Sequence, residues 1–123
     1  MANPRTPGTA VPFNAYQADI CTASSAYFVF DRDGVVVAAQ CVTAVAVTTA
    51  DNAITATLNG TAVTGFAGTV GTTGAAIGAR YVMTVPKKLV VTAGDVLAIV
   101  SDGAGSATVP TFWTVTVAVD RAI

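Results

Sequence analysis

Residues 111–119 read Thr-Phe-Trp-Thr-Val-Thr-Val-Ala-Val, a near-perfect alternation with a period of two. Successive side chains of an extended strand point to opposite faces. Trp113, Val115, Val117 and Val119 therefore share one strongly apolar face, while Phe112, Thr114 and Thr116 share the other. A strand with such a face needs a second layer to cover it, and no helical period elsewhere in the chain offers one. The expected cover is another sheet.

The rest of the sequence repeats this chemistry. Valine and threonine make up roughly a third of the 123 residues, and their branched Cβ suits a pleated strand better than a helix. Tyr27-Phe28-Val29-Phe30 reads as a strand, Asp33-Gly34 as a hairpin turn, and Val35-Val36-Val37 as the return. Residues 41–49 are apolar on both faces, which predicts a strand covered on both sides. Residues 54–58 alternate cleanly into Asn59-Gly60, the strongest two-residue hairpin signal present, and residues 61–64 complete that hairpin. Glycines at 65, 68, 71, 74 and 78 predict a flexible loop, serving assembly or simply slack. Further strands fall at 80–85, ending near Pro86, and at 96–100. About eight strands with glycine-rich turns predict an all-β sandwich, most plausibly a jelly roll. An immunoglobulin-like sandwich is the alternative, but Trp113 lies after both cysteines, unlike the pattern of that fold.

A chain this long builds one core. Pro4, Pro7, Gly8 and Pro12 disfavour both helix and central strand, so residues 1–12 read as an extended arm, anchored first by Phe13 and Tyr16. The sandwich is then residues 13–123. Such an arm and the glycine loop are the segments free to grip a neighbour, which makes Pro4, Arg5, Pro7, Pro12, Phe13, Gly68, Gly71 and Gly74 the candidate assembly contacts.

Hydrophobic residues make up 53% of the chain and charged residues only 11%, with a net charge of -1. The usual charged share is about 25%, so the exterior lacks the charge that keeps a small protein apart from its copies. Self-association and cover by partners are expected. There is no histidine and no glutamate, which leaves seven aspartates and poor equipment for acid–base work at neutral pH; no catalytic apparatus is expected. Cys21 and Cys41 lack companion ligands for zinc and read as buried thiols. Asp31-Arg32-Asp33-Gly34 lacks the further acidic residues of a calcium loop, Asn59-Gly60-Thr61 is a turn before it is a glycosylation acceptor, and Ser24, Ser25 and Ser101 have no base to activate them. The glycine series carries no phosphate-binding motif. Trp113 could stack on a sugar, but its apolar strand face marks it as core. No cofactor or metal is expected. Six scattered Lys or Arg residues make no basic stripe, so nucleic acid is not an expected partner. The apolar segment 35–47 is too short to span a membrane, and the first residues do not form a secretory signal, so synthesis in the cytoplasm is expected.

Residues 93–103, Ala-Gly-Asp-Val-Leu-Ala-Ile-Val-Ser-Asp-Gly, followed by a short loop and the closing strand 112–119, are similar to the carboxy-terminal half of small decoration (cement) proteins of tailed-phage capsids. The extended amino arm, the Thr- and Val-rich sandwich and the glycine loops resemble that family as well. The likeness is carried mainly by residues 89–123. It implies a jelly-roll protomer, often a homotrimer, that sits on the outer capsid surface and locks neighbouring subunits of the major capsid protein. The expected location is the virion, after synthesis in the host cytoplasm. A recognition module, such as a fibre tip or a carbohydrate-binding sandwich, is the competing expectation, with Tyr16, Tyr27 and Tyr81 as its accessible aromatics.

With neither a metal nor a disulfide assigned, chelators and reducing agents should leave the melting temperature unchanged in calorimetry. A shift of more than a few degrees with either reagent would overturn that assignment, because losing such a cross-link removes about 2–5 kcal/mol.

Overall fold

The structure, a computed structural model, describes the backbone of residues 6–121 and the side chains of residues 10–119. It contains ten strands: β1 (Thr6–Gln17), β2 (Ser24–Val29), β3 (Gly34–Thr43), β4 (Asn52–Leu58), β5 (Thr61–Ala62), β6 (Gly68–Val70), β7 (Arg80–Val82), β8 (Leu89–Val91), β9 (Val96–Ser101) and β10 (Thr111–Arg121). One sheet runs β1-β10-β3-β7, with β8 also on β3; the other runs β2-β9-β4-β5, with β6 also on β4. Every pairing is antiparallel. The first strand pairs with the last, the second with the ninth, the third with β7 and β8, and the fourth with β5 and β6. That order is a long antiparallel ribbon rolled over itself into two packed sheets, a jelly roll.

Alternation in the sequence becomes burial in the sandwich. Trp113, Val115 and Val117 of β10 are buried, while Phe112 on the same strand is 54% exposed. They pack with Val36, Ala39 and Cys41 of β3 against Phe28, Ile54, Ala56, Leu97 and Ile99 of the second sheet. Each large aliphatic or aromatic side chain so buried stabilises the fold by about 1.5–3 kcal/mol. The indole of Trp113 carries a polar N–H into this core and satisfies it, Nε1 donating to Gln17 Oε1 at 2.9 Å. Gln17 in turn donates to Ser24 Oγ at 2.7 Å, which links the edges of the two sheets. Among the described residues no buried side-chain nitrogen or oxygen lacks a partner.

Four local expectations are corrected. Residues 6–12 are not a free arm, because pairing with β10 begins at Thr6 and continues through Pro12, which lies opposite Thr116, while residues 1–5 lie outside the described residues. β1 is an edge strand with a neighbour on one side only, so it accommodates Pro7 and Pro12 where a central strand would reject them. Asp33-Gly34 is not a hairpin, since β2 and β3 lie in different sheets and residues 30–33 cross between them. Residues 41–49 are not one doubly covered strand: β3 ends at Thr43, and Val42 and Val45 are exposed. The glycine segment is not slack throughout. It contains β6, where a Cβ on Gly68 would strike the Met83 side chain, and a Cβ on Gly71 would strike the Asp51 carboxylate.

Ten strands stand where about eight were expected: β1, β6 and β8 are additional, the expected strands at 35–37 and 41–43 are one strand, β3, and two outer strands of the jelly roll are broken. β5 and β6 both pair with β4 around residues 63–67, and β7 and β8 both pair with β3 around residues 83–88, which include Pro86. The two breaks meet, for Ala67 and Thr84 bridge the sheets with backbone hydrogen bonds of 3.1 and 2.7 Å. Asn59-Gly60 behaves as expected, with φ of 51° and 85° in the tight turn between β4 and β5.

Gly103 combines φ of 72° with a site where a Cβ would press on the backbone of Thr22 and Ala23, whereas Gly74 has φ of 69° and open space. Gly103→Ala should therefore lower unfolding stability by about 2–4 kcal/mol and Gly74→Ala by about 1 kcal/mol. Chemical denaturation followed by Trp113 fluorescence measures the difference, and equal losses would show that the close approach carries no energy.

Candidate functional site

Most of the charged residues lie between the strands. Among the strand residues whose side chains are described, Arg80 alone carries a formal charge. Five of the aspartates between strands tie separate segments together, while Asp31 pairs with its neighbour Arg32. Asp19 accepts the backbone N–H groups of Cys21 and Val109, both at 3.0 Å, and the Thr22 hydroxyl at 2.8 Å, joining residues 18–23 to the end of 102–110. Asp102 accepts Ala53 N–H at 2.9 Å, and Asp51 accepts Thr72 N–H at 2.9 Å. At the opposite end Asp33 accepts Ala93 N–H at 2.9 Å. Asp95 accepts Asn59 Nδ2 and Thr92 N–H at 2.9 and 2.8 Å.

These contacts set acidity. Burial pushes the Asp19 carboxyl up, but hydrogen bonds from Val109, Thr22 and Cys21 outweigh it and hold the group below the ordinary 3.8. Asp95 is lowered by the Thr92 N–H and the Asn59 amide. Burial drives the Cys41 thiol up to about 12, and burial also raises that of Cys21, so both are inert, protonated core residues. Among the described residues no three His, Cys, Asp or Glu side chains are grouped as a metal cluster.

The outward side chains of the two sheets are the other exposed feature. On the first sheet the outward side chains form rows. Tyr16, Phe112, Val42 and Arg80 lie side by side across β1, β10, β3 and β7, followed by Asn14, Thr114, Gln40 and Val82. Tyr16 and Phe112 are 57% and 54% exposed, their ring centroids are 5.2 Å apart and their planes are tilted 45°. Arg80 Nε donates to Gln40 Oε1 at 2.7 Å, and the Thr114 hydroxyl donates to Asn14 Oδ1 at 3.0 Å. A bulge at Val37 and Ala38, opposite Thr116, adds a further exposed valine. On the second sheet Tyr27, Ala98, Thr57 and Ala62 form one outward row, beside Val29 and Val96.

The candidate assembly contacts are dispersed by this fold. Pro4 and Arg5 lie outside the described residues, and the side chain of Pro7 does too. Pro12 is exposed on the outer face of the first sheet. Phe13 faces the other way and packs edge to face on Phe30 with centroids 5.1 Å apart. Gly68 and Gly71 are internal packing positions, and Gly74 is exposed in the loop between β6 and β7. Phe112 was absent from the sequence candidates, although the alternation already turned it away from Trp113; what could not be seen is that Tyr16 lies beside it. Tyr81, a candidate accessible aromatic, is half-buried and donates its hydroxyl to Gly71 O at 2.8 Å.

No family model matches the chain, and no curated protein is similar to it. Among solved structures it is similar to a CocE/NonD family hydrolase from Staphylococcus aureus, SACOL2612, at 10% identity and a TM-score of 0.43; the match covers 94% of this chain and 33% of the hydrolase. The chain thus spans about a third of that protein's length. A likeness at this level does not extend to activity.

The aspartate ties make stability acid-sensitive. A carboxyl whose folded value is lowered contributes stability that is present above its unfolded value and is lost as pH falls through the folded one. The melting temperature should hold between pH 7 and about 5 and fall once pH drops below about 4. Asp19→Asn should melt lower at pH 7 and lose less on acidification. An acid limb as steep in Asp19→Asn as in the parent would remove Asp19 from this role.

Proposed function

We propose that this protein is a structural, self-associating jelly roll that decorates the outer surface of a phage head and holds neighbouring coat subunits together without catalysis. The observation that carries the reading is the distribution of charge. Two broad sheet faces present one formal charge among the described strand side chains, while five aspartates accept hydrogen bonds that tie separate segments together. A free monomer gains nothing from such faces, whereas a protein that works by being covered needs them, since uncharged surface is removed from water with little desolvation penalty. The jelly-roll order of strands and the likeness of residues 89–123 to decoration proteins support the same reading.

The partners proposed are the chain itself and the major capsid protein. Density-gradient purification of virions, followed by protein gels and mass spectrometry, tests this. The 12.3 kDa chain should band with intact heads and rebind heads from which it has been stripped. Recovery only from the supernatant of infected cells would overturn decoration. Retention on a glycan array in that case would favour a recognition module.

A further inference from the structure

We infer that two copies of this chain pair face to face through the outer surface of the first sheet, about a two-fold axis parallel to its strands. This contact deepens the self-association reading above and rests on it. Such an axis lays β1 of one copy over β7 and β8 of the other, and β10 over β3, so each cross-strand row meets its own reverse. The row Tyr16, Phe112, Val42, Arg80 then sets Tyr16 against Arg80 and Phe112 against Val42. In the next row Thr114 and Gln40 face one another, both able to donate and accept hydrogen bonds.

Charge decides in favour of this occupant. Arg80 lies at one margin of the face, so the two-fold sends the two guanidinium groups to opposite margins, and neither meets a like charge. Each instead finds the ring of Tyr16, the arrangement of a cation–π contact. The 2.7 Å hydrogen bond to Gln40, itself on this surface, keeps the guanidinium on the face. The Tyr16 and Phe112 rings lean on one another at 5.2 Å and 45°, which suits them to filling an apolar interface rather than offering a flat platform to a sugar.

Size is compatible with the pairing. Three strands and the lane that β7 and β8 share, about 4.8 Å apart and about seven residues long, make a face of roughly 19 by 23 Å on each copy. Two such faces make roughly 870 Å² of flat area, which side-chain relief raises toward the about 1,200 Å² at which weak complexes give way to stable ones. The resemblance to decoration proteins implied three copies, and a face-to-face two-fold implies two.

Light scattering coupled to size exclusion, run on the full chain over a concentration series, tests the pair. The expected mass is twice 12.3 kDa. Phe112→Asp, or Val82→Asp should that variant fail to fold, is expected to give a monomer with near-parental melting. Thr57→Asp, on the outer face of the second sheet, should leave the pair intact. Tyr16 and Arg80 of one chain are about 14 Å apart across the sheet, too far to couple within it. Tyr16→Leu and Arg80→Gln should each weaken association about tenfold, and together also about tenfold, because both remove the same contact. A monomeric parent, a mass of three chains, a folded Phe112→Asp pair or multiplicative single effects would each overturn the proposal. Failure here and failure of decoration are distinguishable: a pair in free protein absent from virions keeps this contact and rejects decoration, and a virion-bound chain that is monomeric in solution does the reverse.

Discussion

The placement of β10 between β1 and β3 is the constraint on which the rest of this structure depends. It joins the two ends of the chain, with Tyr16 opposite Phe112 and Phe13 opposite Val115, and it carries Trp113 into the centre of the core. The indole N–H would be expensive to bury alone, and Gln17 on the neighbouring strand satisfies it. The central strand therefore sets the polar register of the edge strand as well as its hydrophobic register. A slip of one residue would turn Trp113 and three valines toward solvent and bring Phe112 and the threonines inside. The pairing joins residues 94–115 positions apart between β1 and β10 and 68–83 positions apart between β10 and β3, so the loop-closure entropy must be met before the core rewards it.

Around that sandwich the protein separates its charges from its surfaces. Asp19, Asp33, Asp51, Asp95 and Asp102 each accept at least one backbone N–H in a connection that no ladder would satisfy. A carboxylate is a strong acceptor for such donors, and a short side chain in a turn reaches them without distortion. The consequence is a surface of unusual character. Strands are dressed in Thr, Val, Ala and exposed aromatics, the ends carry the carboxylates, and the edges of the first sheet carry prolines in β1 and Lys87 and Lys88 between β7 and β8.

The class of fold, the strand identity of most segments, the Asn59-Gly60 turn and the burial of Trp113 were all legible in the residues, because each depends on local chirality, on period-two alternation or on positive φ at a tight turn. The errors share one cause. Asp33-Gly34 has the chemistry of a hairpin, yet it spans two sheets; Pro7 and Pro12 have the chemistry of an arm, yet they lie in an edge strand; Gly68 and Gly71 look like slack, yet they make room for Met83 and Asp51. In each case the residue was read for what it permits, and its neighbour in space decided what it does.

What the sequence by itself determined is which side of each strand faces inward, since the pleat alone sends Trp113, Val115 and Val117 one way and Phe112, Thr114 and Thr116 the other. It also determined that the exterior would be poor in charge. Only the tertiary structure decided which outward residues stand together. Tyr16 acquires Phe112, and Arg80 acquires Gln40, through pairings between strands far apart in the chain, because cross-strand register is a property of two segments and is written in neither one alone.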